Sequence, residues 1–147
     1  MKKLIGVISV VSAVFLFIIS ISPVLAFELD TDGAKVKAEE YLNTIIEGNA
    51  DKAFDEAFSP EAKLFMGSNF ANMKAQFNLL LNLFGAPNEL EFIREEQLSN
   101  RLIRLIYFLY TDLNVVAFDF YYYESNGELI LVKLSYDNEF ERMYPKK

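Results

Sequence analysis

The chain contains no cysteine and no histidine. A serine-histidine triad, a thiol nucleophile and an ordinary zinc site are therefore out of reach, because each needs at least one of these residue types. Disulfides are excluded too, so packing alone must hold the fold. Glycine is sparse, with six residues spaced singly, and no glycine-rich phosphate loop can form from them. Beyond the N-terminal segment the glycines fall at helix ends and in one hairpin, where backbone freedom accounts for them. Positive charge is the remaining shortage: 14 Lys and Arg stand against 21 Asp and Glu, for a net charge of −7. An acidic chain without a basic stripe excludes nucleic acid as a partner, since phosphate binding requires a basic surface.

What is present begins with MKKLIGVISVVSAVFLFIISISPVLA. Lys2 and Lys3 precede an apolar run from Leu4 to Ile21, and Pro23, Val24 and Ala26 close it with small-residue spacing. This reads as a signal peptide over 1–26, cut after Ala26 to leave Phe27. The alternative is an uncleaved anchor, because the run is about as long as the shortest spanning helix; contact with a membrane is then made through this segment alone. No cysteine follows the run, which excludes a lipid-modified lipoprotein. The expected location is secreted, periplasmic or associated with the cell envelope. The remainder, 27–147, reads as one domain without linker, repeat or low-complexity tract.

Four helices are expected first. Asp32 serves as the N-cap of a helix that buries Ala38, Tyr41, Leu42 and Ile45 and stops at Gly48. Asn49 caps a short second helix with a stripe of Ala50, Ala53, Phe54, Ala57 and Phe58. Ser59-Pro60 opens a third short piece that ends at Gly67. A fourth helix runs from about Asn69 to Phe84, with Phe70, Met73, Phe77, Leu80, Leu81 and Phe84 inward, and stops at Gly85-Ala86-Pro87.

After Pro87 the period turns from helical to alternating. Four strands are expected, about Glu89 to Leu98, Arg101 to Thr111, Asn114 to Glu124, and Glu128 to Tyr136. Asn126-Gly127 is a two-residue type I′ hairpin signal; Ser99-Asn100 and Asp112-Leu113 supply the other turns. The result is an α+β domain, N-terminal helices on a curved four-stranded antiparallel sheet. With even loops, one sheet face carries Leu90, Phe92, Ile103, Leu105, Tyr107, Leu109, Phe118, Phe120, Tyr122, Leu129 and Leu131 toward the helices. The other carries Glu95, Arg104, Ile106, Phe108, Tyr110, Asp119, Tyr121, Tyr123, Ile130, Val132 and Leu134. That second face is too apolar for open water and is expected to be covered, by the same face of a second copy in a twofold dimer or, alternatively, by one of the chain's own helices wrapped in a concave sheet.

The helix phrase AEEYLNTIIEGN, the short DKAFDEAF, the helix closing on LLNLFG and the meander after it together resemble the α+β cone of the nuclear-transport-factor-like (cystatin-like) superfamily. Ketosteroid isomerase and many exported bacterial domains of unknown function share that fold. The resemblance implies a conical pocket between sheet and helices, and homodimers formed through the sheet. For the isomerase-like members it implies an acid and a tyrosine in the pocket, and Tyr41 and Asp119 are the pair carried over. The hairpin register, however, puts Asp119 on the face away from the helices.

In that register Glu95 lies opposite Arg104, with Asp119 one diagonal step away and Tyr121 beside them. Two readings apply: a polar anchor for a small ligand, or a cross-strand ion-pair ladder of the ordinary kind. The residues singled out as a ligand or interface patch are Glu95, Arg104, Ile106, Phe108, Tyr110, Asp119 and Tyr121. No catalytic residue, metal site or cofactor is assigned. The acidic pairs Glu39-Glu40, Asp55-Glu56 and Glu95-Glu96 lack the alternating ligands and glycine of a calcium loop, and Tyr121-Tyr122-Tyr123 alternates between faces. The expected function is an exported, non-catalytic binding domain, for a small apolar ligand in the cone or a protein on the second sheet face. Its rivals are an isomerase- or cyclase-like enzyme using an acid and a tyrosine, and a structural dimer module.

Overall fold

Among the described residues four helices precede four strands, with the change of period falling at Pro87. The computed structural model describes residues 29–139; the expected signal segment 1–26, its cleavage before Phe27, and residues 140–147 lie outside them. Helix α1 (Thr31–Ile46) is capped by Asp30 and not by Asp32: the Asp30 carboxylate accepts from the Gly33 N–H at 2.8 Å. Asp32 sits in the first turn, where its charge complements the positive end of the helix dipole. The buried stripe is Ala34, Ala38, Tyr41, Leu42 and Ile45, and Gly48 ends the helix at φ 84°.

Helix α2 (Ala50–Ala57) follows Asn49, whose side chain makes no capping bond, and buries Ala50, Ala53 and Phe54. Helix α3 (Pro60–Met66) starts in the expected order, with the Ser59 hydroxyl accepting from the Ala62 N–H at 3.2 Å. It buries none of its own side chains. Helix α4 (Ser68–Phe84) buries Phe77 fully, while Phe70, Met73, Leu80, Leu81 and Phe84 lie half-buried against the core.

Strands β1 (Pro87–Ser99), β2 (Leu102–Thr111), β3 (Val115–Ser125) and β4 (Glu128–Asp137) form an antiparallel meander in sequence order. Asn126 and Gly127 both take positive φ, 53° and 82°, as the two-residue hairpin between β3 and β4 requires. Ile103, Leu105, Tyr107, Leu109, Phe118, Phe120, Tyr122, Leu129 and Leu131 all face the helices and are buried there. Phe118 has no exposed surface. Full burial of such a side chain contributes about 1.5–3 kcal/mol.

The pairing is shifted at Pro87/Glu89, Phe92/Arg94 and Gln97/Ser99 in β1 and once between β3 and β4, and two of these bulges, at Ile93 and Val132, change the expected faces of the residues singled out above. Pairing passes from Phe92↔Tyr107 to Arg94↔Ile106, so Ile93 is an extra residue in β1. Glu95 then pairs with Leu105 on the helix side, and Glu96 takes the place opposite Arg104 that was expected of Glu95. In β4, pairing passes from Tyr121↔Lys133 to Tyr122↔Leu131, and Val132 is the extra residue. Leu134 accordingly opposes Phe120 and enters the core, where the even register had put it outside. A slip of one residue inverts every side chain past it.

Candidate functional site

The outer sheet face is organised around Arg104. Its Nε and Nη2 donate to the two carboxylate oxygens of Asp119, both at 2.8 Å, and Nη1 donates to Glu96 at 3.0 Å. Glu96 also holds Arg94 at 2.8 Å. Hydrogen bonding to Asp119 pushes the Arg104 guanidinium still further above its usual range, so the group is a permanent cation. Arg104 and Lys133 stand 5.7 and 4.9 Å from the centre of the Tyr121 ring.

Of the expected patch, Arg104, Ile106, Phe108, Asp119 and Tyr121 are neighbours on β2 and β3. Tyr110 lies at the far end of β2 and donates to Glu91 at 2.5 Å. Glu95 is absent from this face. Bulging at Ile93 sends it to the helix side, where it pairs with Lys35 of α1 at 2.6 Å. The single chain itself withdraws part of this apolar face from solvent, while Ile130 and Val132 stay exposed. Ile106 is fully buried within the single chain, boxed by Arg94 and Asp119 across the strands and by Arg104 and Phe108 along its own. Phe108, Tyr110 and Tyr121 are half-buried, and the long side chains of Arg104 and Lys133 cover Tyr121. Tyr41 and Asp119, the pair implied by the isomerase-like resemblance, lie on opposite sides of the sheet and do not meet: Tyr41 packs on Phe118 and Phe120, and Asp119 is held by Arg104.

The helix side holds a different site. Between α1, α2 and the hairpin of β3 and β4 lies a cavity of about 250 Å³. Helix α1 lines it with Lys37, Glu40, Tyr41 and Thr44, α2 with Ala53, Glu56 and Ala57, and the hairpin with Tyr122, Leu129 and Leu131. Ala53 and Ala57 stand one turn apart on α2 and leave volume that larger side chains would occupy.

Tyr41 is the unusual member. Its ring is fixed edge-on to Phe54, Phe118 and Phe120 at centroid distances of 5.5, 6.0 and 5.5 Å. Its hydroxyl is buried and has no hydrogen-bond partner among the described residues. Burial pushes the phenol well above its usual range, and Tyr136 and Tyr122 add to the shift. Burial likewise raises Tyr122, with the Glu40 charge contributing. The other polar linings are engaged in part: Lys37 Nζ donates to the Leu129 carbonyl at 3.0 Å, and the Thr44 hydroxyl to the Glu40 carbonyl at 2.8 Å. Glu124 is also buried with one carboxylate oxygen unpartnered among the described residues, but it does not line this cavity.

The helical spacing places Tyr41 on the buried stripe, and a pocket between sheet and helices holding Tyr41 is an expectation of the family resemblance alone; the residue pattern by itself does not show this cavity. The alanine pair on α2 was its one visible signal, and it reads equally as close helix packing. No family model, no curated protein and no solved structure matches the chain.

Proposed function

We propose that this domain is a non-catalytic binding module that takes a small, largely apolar molecule into the cavity beside α1 and α2, with the Tyr41 hydroxyl as a polar anchor that the ligand reaches by parting the side chains closed over it. The unpartnered hydroxyl carries the reading. A buried polar group without a partner costs about 1–3 kcal/mol, and a ligand that bonds to it recovers that loss on binding. Liquid water occupies about 30 Å³ per molecule, so the cavity volume suits a ligand of roughly ten non-hydrogen atoms. Leu129, Leu131, Ala53, Ala57 and the Tyr122 ring supply the apolar walls, and few convergent polar groups fix orientation, as in ordinary ligand sites. Glu40 and Glu56 stand exposed at the rim. Neither has the burial that tunes a carboxylate as a general base, which favours binding over catalysis. Joined to the export signal expected of 1–26, the reading is of a secreted or envelope protein that carries or senses a small molecule.

Amide NMR of the protein recovered after export, titrated with phenethyl alcohol, tests it. Signals of Tyr41, Tyr122, Leu129 and Leu131 are expected to move together, and those of Ile106 and Tyr121 to stay. Shifts confined to the outer face, or none at millimolar probe, would overturn the reading.

A further inference from the structure

We infer that the cavity selects a cation, a small apolar body carrying one amine, over neutral and anionic molecules of the same shape. The inference rests on the cavity reading above and adds the charge of the ligand. The charged groups in the lining are Lys37, Glu40 and Glu56. One N–H of the Lys37 ammonium is committed to the Leu129 carbonyl at 3.0 Å, which ties this cation to the hairpin. Glu40 forms no ion pair among the described residues, and its charge is felt at Tyr122 inside the cavity. Among the described residues Glu56 pairs with Lys52 alone, at 3.9 Å with both side chains more than half exposed, a pair of little strength. With one cation, Lys37, against two carboxylates, the lining carries a net negative charge, and Glu40 has no ion pair among the described residues.

Inside, burial keeps the Tyr41 and Tyr122 phenols protonated. A neutral phenol oxygen accepts a hydrogen bond from an ammonium while the carboxylates above it balance the charge. A carboxylate ligand could take a bond from Tyr41 but would meet Glu40 and Glu56 as like charges at the rim. The acidic chain as a whole, at −7, adds attraction for cations at long range.

Three probes of one shape separate the possibilities: phenethylamine, phenethyl alcohol and phenylacetate, each titrated calorimetrically near neutral pH into the exported protein. The amine is expected to bind about tenfold more tightly than the alcohol, a factor of the size one charge-assisted contact supplies, and phenylacetate more weakly than both. Glu40→Gln and Glu56→Gln together should bring the amine down to the alcohol without changing the alcohol. Glu89→Gln, on exposed β1 surface outside the cavity, should change neither. Equal binding of amine and alcohol, or strongest binding of phenylacetate, overturns the charge inference and leaves the cavity reading in place. Failure of all three probes to bind overturns both.

Discussion

Arg104 grips Asp119 through two parallel hydrogen bonds of 2.8 Å, across the diagonal between β2 and β3, and Asp119 is almost wholly withdrawn from solvent. A bidentate pair with Glu96 on the third nitrogen satisfies the donors that face it and fixes the strand register. Nothing in this arrangement asks for a ligand.

Removing one partner should therefore be far worse than removing both. Arg104→Met leaves a buried carboxylate uncompensated and is expected to cost about 3 kcal/mol in urea unfolding. Combining it with Asp119→Leu should recover most of that loss, because the burden is the lone charge. An additive double variant would show that the pair is not the coupled unit described.

The bulge at Val132 makes a second prediction by contrast of neighbours. Leu134 is 9 % exposed and Val132 is 53 % exposed. Leu134→Glu should destabilise by about 3 kcal/mol or more, since it buries a charge in the core. Val132→Glu should stay within about 0.5 kcal/mol. Equal losses would mean that β4 runs in unbroken alternation.

These two bulges mark the limit of what the residues disclose. Alternation of apolar and polar positions, the Asn126-Gly127 turn and the helix stops at Gly48 and Gly85 were readable, because each is a local property of a few neighbours. The face of Ile103, Leu105, Phe118 and Phe120 followed from them. An extra residue at Ile93 or Val132 has no such mark, since both are good strand formers, and everything past it changes side. Glu95 was therefore paired with the wrong cation by one residue. Capping by Asp30 in place of Asp32 is a similar near miss, with three candidate oxygens in Asp30, Thr31 and Asp32. The cavity was less visible still. It arises where two helices approach a hairpin, and the want of a partner for Tyr41 is a property of what surrounds its hydroxyl.

Alkaline stability tests the burial of that phenol. An unfolded tyrosine ionises near the usual value of 10.0, while folded Tyr41 resists ionisation well above it. The folded state thus holds more protons above pH 10, and stability falls as pH rises. The contribution is fully present below about pH 10 and is lost toward the raised folded value. Tyr107 and Tyr122, also raised by burial, share the slope. Tyr41→Phe should flatten this limb by up to about 1.4 kcal/mol per pH unit. An unchanged slope between pH 10 and 11 would mean that Tyr41 titrates freely in the folded domain.

The central claim is that the Tyr41 hydroxyl is left unpartnered for a ligand, and urea unfolding of wild type and Tyr41→Phe, each with and without phenethyl alcohol, tests it most directly. Without probe the variant should be at least as stable as wild type, by up to about 1–3 kcal/mol, because it no longer buries an unpaired hydroxyl. With probe, wild type should gain more stability than the variant, since only wild type completes a hydrogen bond on binding. A variant that is less stable without probe, and that gains as much from it as wild type does, would contradict the account.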